Sequence, residues 1–87
     1  EIRGFPLASL YYFGRPINEL SLDQQALLVG LVQGATKNNP WTQPENAIIR
    51  RNIVLKILET RNVIDNEMYQ VLSARPLGVK PREGLVA

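Results

Sequence analysis

Ser21-Leu22-Asp23-Gln24-Gln25-Ala26-Leu27-Leu28-Val29-Gly30-Leu31-Val32-Gln33-Gly34 begins with the clearest helix start in the chain and then turns apolar on every side. Ser21 followed three residues later by Gln24 is a capping box, in which each side chain satisfies a backbone N–H of the other's turn. Asp23 falls in the first turn, where the helix dipole favours a negative charge. Gly34 suits the left-handed C-terminal position and predicts the end of this helix. Placed at 100° per residue, Leu22, Ala26, Leu27, Leu28, Val29, Leu31 and Val32 leave no polar side. A helix of that kind belongs in the buried centre of a larger domain; the alternative is an interface between copies.

The flanking sequence is punctuated by Gly, Pro, Asn and Asp and predicts about four helices and no strand. Upstream, a helix over residues 6–12 starts at Pro6 and is capped by Gly14. Downstream, residues 37–44 carry two prolines, two asparagines and Trp41, which prevents regular structure there. A third helix runs from about Pro44 to Thr60, with Ala47, Ile48, Val54, Leu55 and Leu58 inward and Asn52, Lys56 and Glu59 outward. A fourth follows an N-cap at Asp65, with Ile64 and Tyr69 spaced as a hydrophobic staple and Met68, Val71 and Leu72 as its apolar side. Pro76 stops it. Residues 1–76 read as one helical segment, and residues 77–87, with Pro81 and Gly84, as an exit linker.

A chain of 87 residues forms at most one small domain. It opens on Glu1 without an initiator Met and closes abruptly on Val86-Ala87, which predicts an excised segment. The chain has no cysteine, which excludes disulfides and thiolate chemistry, and no histidine, which excludes the imidazole-based triads. No apolar run reaches the roughly 18 residues that span a bilayer. A net charge of +2 is too small to imply a nucleic-acid partner.

Paired carboxylates for glycosyl transfer must face one cleft. Glu19 and Asp23 straddle a helix start, and Glu59, Asp65 and Glu67 fall on a polar face, a cap and a first turn, so no pair reads as catalytic. Gly34-Ala35-Thr36-Lys37-Asn38-Asn39 offers backbone N–H groups, a hydroxyl, a cation and two amides, a set able to hold a phosphate or sugar hydroxyls, though an ordinary surface loop has the same composition. Tyr11, Tyr12, Phe13 and Trp41 read as core aromatics, with stacking on sugars or bases as the alternative. Arg50-Arg51-Asn52 reads as an ion-paired or solvated helix face, with phosphate contact as the alternative.

Residues 1–14, Glu-Ile-Arg-Gly-Phe-Pro-Leu-Ala-Ser-Leu-Tyr-Tyr-Phe-Gly, resemble the fifth motif of family 51 peptidoglycan glycosyltransferases, the polymerising domains of bifunctional class A penicillin-binding proteins. Arg3, Gly4, Ala8, Tyr12, Phe13 and Gly14 match that motif; Ser9 and Arg15 stand where Ala and Lys are usual. Leu20-Ser21 through Leu28, Gly34-Ala35-Thr36 through Asn39-Pro40, and Pro44, Ala47, Arg50-Arg51-Asn52 and Val54-Leu55 resemble the stretches that follow it in the family, in the same order. The resemblance implies an all-helical, lysozyme-like domain, of which this is the C-terminal part. It implies polymerisation of lipid II into glycan strands at the periplasmic face of the bacterial inner membrane, with the anchor elsewhere in the longer enzyme. The family's catalytic Glu and most donor-site basic residues belong to four earlier motifs, so this segment is expected to be inactive alone. No cofactor is expected in it, although the longer enzyme of this family can use Mg or Mn.

The same resemblance implies that Gln33 and Thr36 lie near the donor's phosphates, and with the loop's own polar groups the expected substrate-binding residues are Gln33, Gly34, Thr36, Lys37 and Asn39. The family's loop carries Lys where Gln33 stands. Thr36 keeps the family's hydroxyl, and Lys37 is expected to replace part of the missing charge. Expected partners are lipid II and the growing glycan strand, with no nucleic acid, and the isolated segment is expected to self-associate through exposed apolar surface. The competing reading is a small helical interaction module that binds an anionic partner through Arg50-Arg51.

Overall fold

A computed structural model describes residues 4–82. Helices α1 (Phe5–Phe13), α2 (Leu22–Leu31), α3 (Pro44–Thr60) and α4 (Asn66–Ser73) are joined by loops, with one 3-10 turn at Ile17–Glu19 that the sequence reading omits. Among the described residues there is no strand.

Local chemistry accounts for each boundary. Gly14, at φ 69°, closes α1 with its N–H on the Leu10 carbonyl. Ser21 N donates to Gln24 Oε1 at 3.1 Å, the return arm of the capping box that starts α2. Asp65 Oδ1 accepts from Met68 N at 2.8 Å and starts α4. The end of α2 is corrected. It comes at Leu31 rather than Gly34, because Val32, Gln33 and Gly34 donate to carbonyls three residues back (Val29, Gly30 and Leu31), tightening the chain into turns.

α2 is the centre of the fold because two cores share it. Leu27, Leu28 and Leu31 join Tyr12, Phe13, Leu20, Ala47 and Leu77. Ala26 joins Leu55 and Leu72 on the other side. Each fully buried leucine contributes about 1.5–3 kcal/mol, so these two clusters dominate the fold's stability. Gly30 is the close-approach point of α2 and α3: a Cβ there would lie 2.6 Å from Arg50 Cγ. The encirclement is incomplete, for Val29 and Val32 remain 46% and 68% exposed on the helix expected to be buried all round.

Three sequence expectations change. Arg51 is buried (1% exposed) and not part of a solvated dibasic face. Asn52 is half-buried, its Oδ1 accepting from Arg51 Nε and its Nδ2 donating to the Ser73 carbonyl, because the outward side of α3 at this level meets the end of α4. Met68 and Val71 are exposed, because α4 is covered on one side only, where Ile64, Tyr69 and Leu72 pack. The outer row of α3 is instead apolar: Ile49, Ile53 and Ile57 recur at every fourth residue and are all exposed.

Beyond α4 the chain turns back rather than leaving. Leu77 is buried in the first core with Val79 against it, and Lys80 N donates to the Tyr12 carbonyl at 2.9 Å. The stretch read as an exit linker is therefore docked as far as its described part, to Arg82. Its apolar residues find a place between α1 and the loop that precedes α3.

Candidate functional site

The loop after α2 is built on backbone bonds that leave the side chains of Gln33, Thr36 and Lys37 outside. Asn38 N donates to the Gly34 carbonyl at 3.0 Å and Asn39 N to the Thr36 carbonyl at 3.4 Å, folding residues 34–39 into consecutive turns. Asn39 Oδ1 accepts from Trp41 N at 2.8 Å and Thr42 N at 3.3 Å, an Asx turn that the Asn-Pro pair favours. Gln43 N then donates to the Asn39 carbonyl at 2.7 Å and leads into α3. Asn46, from the first turns of α3, donates Nδ2 to the Lys37 carbonyl at 3.2 Å.

Gln33, Thr36 and Lys37 are exposed, and Gly34 is half-buried beneath them. Asn39 differs from the expectation in emphasis, since its carbonyl oxygen is committed to the turn. Asn38, counted in the sequence as one of the two amides the loop offers a ligand, is instead 5% exposed and fills the inside of the loop. Chemically the loop presents one ammonium, one hydroxyl and one neutral amide on a pinned backbone. That set can neutralise and hydrogen-bond a phosphate or hold sugar hydroxyls, and it contains no carboxylate, imidazole or thiol.

The motif residues before α2 support this loop from below. Arg3 lies outside the described residues. Gly4 has φ 81°, a conformation that other residues rarely adopt, and precedes α1 directly. Tyr12 and Phe13 are buried, Ala8 packs against them, and Gly14 caps the helix. Ser9 is fully buried, and its hydroxyl donates to the Arg15 carbonyl, fixing the turn after α1. Burial pushes the Tyr12 phenol above its ordinary pKa; Tyr11 adds to the effect and the Arg82 charge opposes it. An apolar hollow of about 360 Å³ lies between α1 and α2, lined by Phe5, Ala8, Leu28, Leu31, Val32 and Ala35, so it opens at the start of the loop.

The acidic residues do not converge. Asp23 is buried and accepts from Arg75 Nη1 at 3.1 Å. Glu59 accepts from Lys56 Nζ at 2.6 Å and from Asn66 Nδ2 at 2.7 Å, and these bonds hold its carboxyl below the usual range. Among the described residues no three Asp or Glu gather, and no step is assigned to a metal. Nor is any described helix long and apolar enough to cross a membrane.

Arg51 and the tail at Lys80 are the structural residues that sequence reasoning missed, whereas Trp41 packs against the first core as expected of it. Arg51 donates Nη2 to the Ser73 carbonyl at 3.1 Å and Nη1 to the Pro76 carbonyl at 3.3 Å. Burial lowers its pKa, with the Asp23 carboxylate opposing. Only its adjacency to a predicted core stripe hinted at this, because its partners are backbone carbonyls far along the chain. With Arg51 enclosed, Arg50-Arg51 is no anion-binding patch, and the nucleic-acid module loses the feature on which it rested.

Comparison with known proteins agrees with this arrangement. Residues 1–59 match the family model described as Transglycosylase. The chain is 66% identical over all 87 residues to penicillin-binding protein 1B of Escherichia coli strain K12, and 56% identical over 82 residues to penicillin-binding protein 1B of Haemophilus influenzae. It spans 10% of the length of each of these relatives. The crystal structure of penicillin-binding protein 1A from Haemophilus influenzae superposes with a TM-score of 0.84 at 29% identity, covering 92% of this chain and 12% of that one. The capped α1, the doubly packed α2, the pinned 33–39 loop and these matches lead to one conclusion: the chain belongs to the transglycosylase family, and corresponds to a helical segment of its penicillin-binding-protein members.

Proposed function

We propose that this chain is the C-terminal helical segment of a peptidoglycan glycosyltransferase domain that polymerises lipid II at the periplasmic face of the inner membrane. Within it, the 33–39 loop forms part of the wall on the donor side. The observation that carries this reading is the loop's construction, with a backbone fixed by Asn39 and Asn46 while Thr36 and Lys37 stand in solvent. A fixed backbone favours binding because little order is lost when a ligand arrives.

In this reading the acceptor's sugar hydroxyl attacks the donor's anomeric carbon, and the pyrophosphate leaves with its electron pair. The base that takes the hydroxyl proton lies in the rest of the domain. Lys37 contributes a positive charge toward the pyrophosphate, and Thr36 a hydroxyl donor. Gln33 gives only a neutral hydrogen bond, about half as strong as a charge-assisted one. The segment's larger contribution is scaffolding, through α2.

The test uses the E. coli relative with this segment in place of its matching 87 residues. Lys37→Ala in that chimera should raise the KM for lipid II by about 10-fold, the equivalent of a lost charge-assisted contact, and Gln33→Lys should lower it. An unchanged KM in both variants would remove the loop from the donor site.

A further inference from the structure

The indole of Trp41 stands where three parts of the chain meet. Its backbone N–H is held by Asn39 Oδ1, inside the loop. Its ring lies 4.9 Å from the Tyr12 ring and 5.1 Å from the Tyr11 ring, both on α1. Its Nε1 donates to the Lys80 carbonyl at 2.7 Å, on a residue thirty-nine positions away. Lys80 is itself fixed, since its N–H donates to the Tyr12 carbonyl at 2.9 Å. Leu77 anchors the same stretch in the core, and the Arg82 guanidinium lies over the indole at 5.7 Å from the ring centre.

We infer that Trp41 is a positioning residue for donor binding, and that residues 77–82 form a strap that holds the 33–39 loop in place through it. The chemistry is that of a short relay. The strap's carbonyl at Lys80 fixes the indole, the indole's own backbone fixes the Asn39 side chain, and that side chain sets the turn carrying Thr36 and Lys37. Trp41 touches no reacting group; it acts on the loop. A tryptophan fits this role because its ring packs on α1 while its single N–H still reaches a partner.

The functional half of this inference rests on the donor-side reading of the loop, and the experiment separates the two. In the same chimera, Trp41→Phe keeps an aromatic ring and removes the Nε1 donor. Hydrogen exchange should become several-fold faster in the peptide covering residues 33–43, where Asn38, Asn39 and Gln43 make their backbone bonds, and stay unchanged in the α3 peptide. The KM for lipid II should rise about 3- to 10-fold with kcat unchanged, the range expected for one lost hydrogen bond. Lys80→Pro, which deletes the bond to Tyr12, should give the same pattern from the other end of the strap. Exchange that is unchanged, or faster everywhere alike, in both variants overturns the strap whatever KM does. Faster exchange confined to residues 33–43 with an unchanged KM upholds the strap and instead overturns the donor-side reading.

Discussion

The Arg51 guanidinium donates Nη2 to the carbonyl of Ser73, the last residue of α4, at 3.1 Å from a position that is only 1% exposed. A helix end leaves its last carbonyls without intrahelical partners. Here a cation from the middle of α3 supplies one and reaches the Pro76 carbonyl as well, so the α4 terminus is capped from a neighbouring helix.

That arrangement predicts a steep cost for a change that keeps the charge. Arg51→Lys keeps the positive charge, but its ammonium cannot fork to two carbonyls and Asn52 together, and the variant should lose about 2 kcal/mol or more. Arg51→Ala should prevent folding of the isolated chain, whose margin is small at this length. Thermal unfolding by circular dichroism decides it; a melting temperature for Arg51→Lys within a degree of the parent would show the cap to be dispensable.

Gly30 predicts a rescue. Gly30→Ala places a methyl 2.6 Å from Arg50 Cγ and should destabilise by about 1–3 kcal/mol through overpacking between α2 and α3. Adding Arg50→Ala removes the obstructing atoms, so the double variant should recover a large part of the loss. Strictly additive costs in denaturant unfolding would argue that the helices do not approach at this point.

Surface chemistry predicts the behaviour of the isolated chain. Ile49, Ile53 and Ile57 on α3, Val29 on α2 and Val32 just after it are exposed. Exposed apolar surface of that kind drives association or dye binding. The 87-residue chain should enhance the fluorescence of a hydrophobic dye and sediment above its monomer mass, and Ile53→Lys should reduce both. A dye-silent monomer would mean that these faces are tolerated in water.

Much of this was readable from residues alone, and the reasons are local. α3 has the bounds expected of it because Pro44 fits a first helical turn and the Ala47–Leu55 spacing keeps one side apolar. The capping box at Ser21 and the caps at Gly14 and Asp65 each involve residues within four positions of one another. What could not be read depends on distant partners. The burial of Arg51 needs carbonyls at Ser73 and Pro76, and the docking of residues 77–82 needs Trp41 and Tyr12 in place. The Pro and Gly of that tail give a linker's composition, and Leu77 alone marks it as packed. For the loop, the Asn-Pro turn was legible, but the direction of Thr36 and Lys37 followed only once Asn38 was seen to fill the inside.

In the function proposed above, these residues scaffold a transglycosylase and contribute to its donor side, without carrying its chemistry. Glycan polymerisation from lipid II, assayed side by side for the isolated 87-residue chain and for the E. coli relative carrying it as a replacement segment, tests that most directly. The chimera should make polymer and the isolated chain none. Polymer from the chain alone, or none from a chimera that folds, would contradict the account.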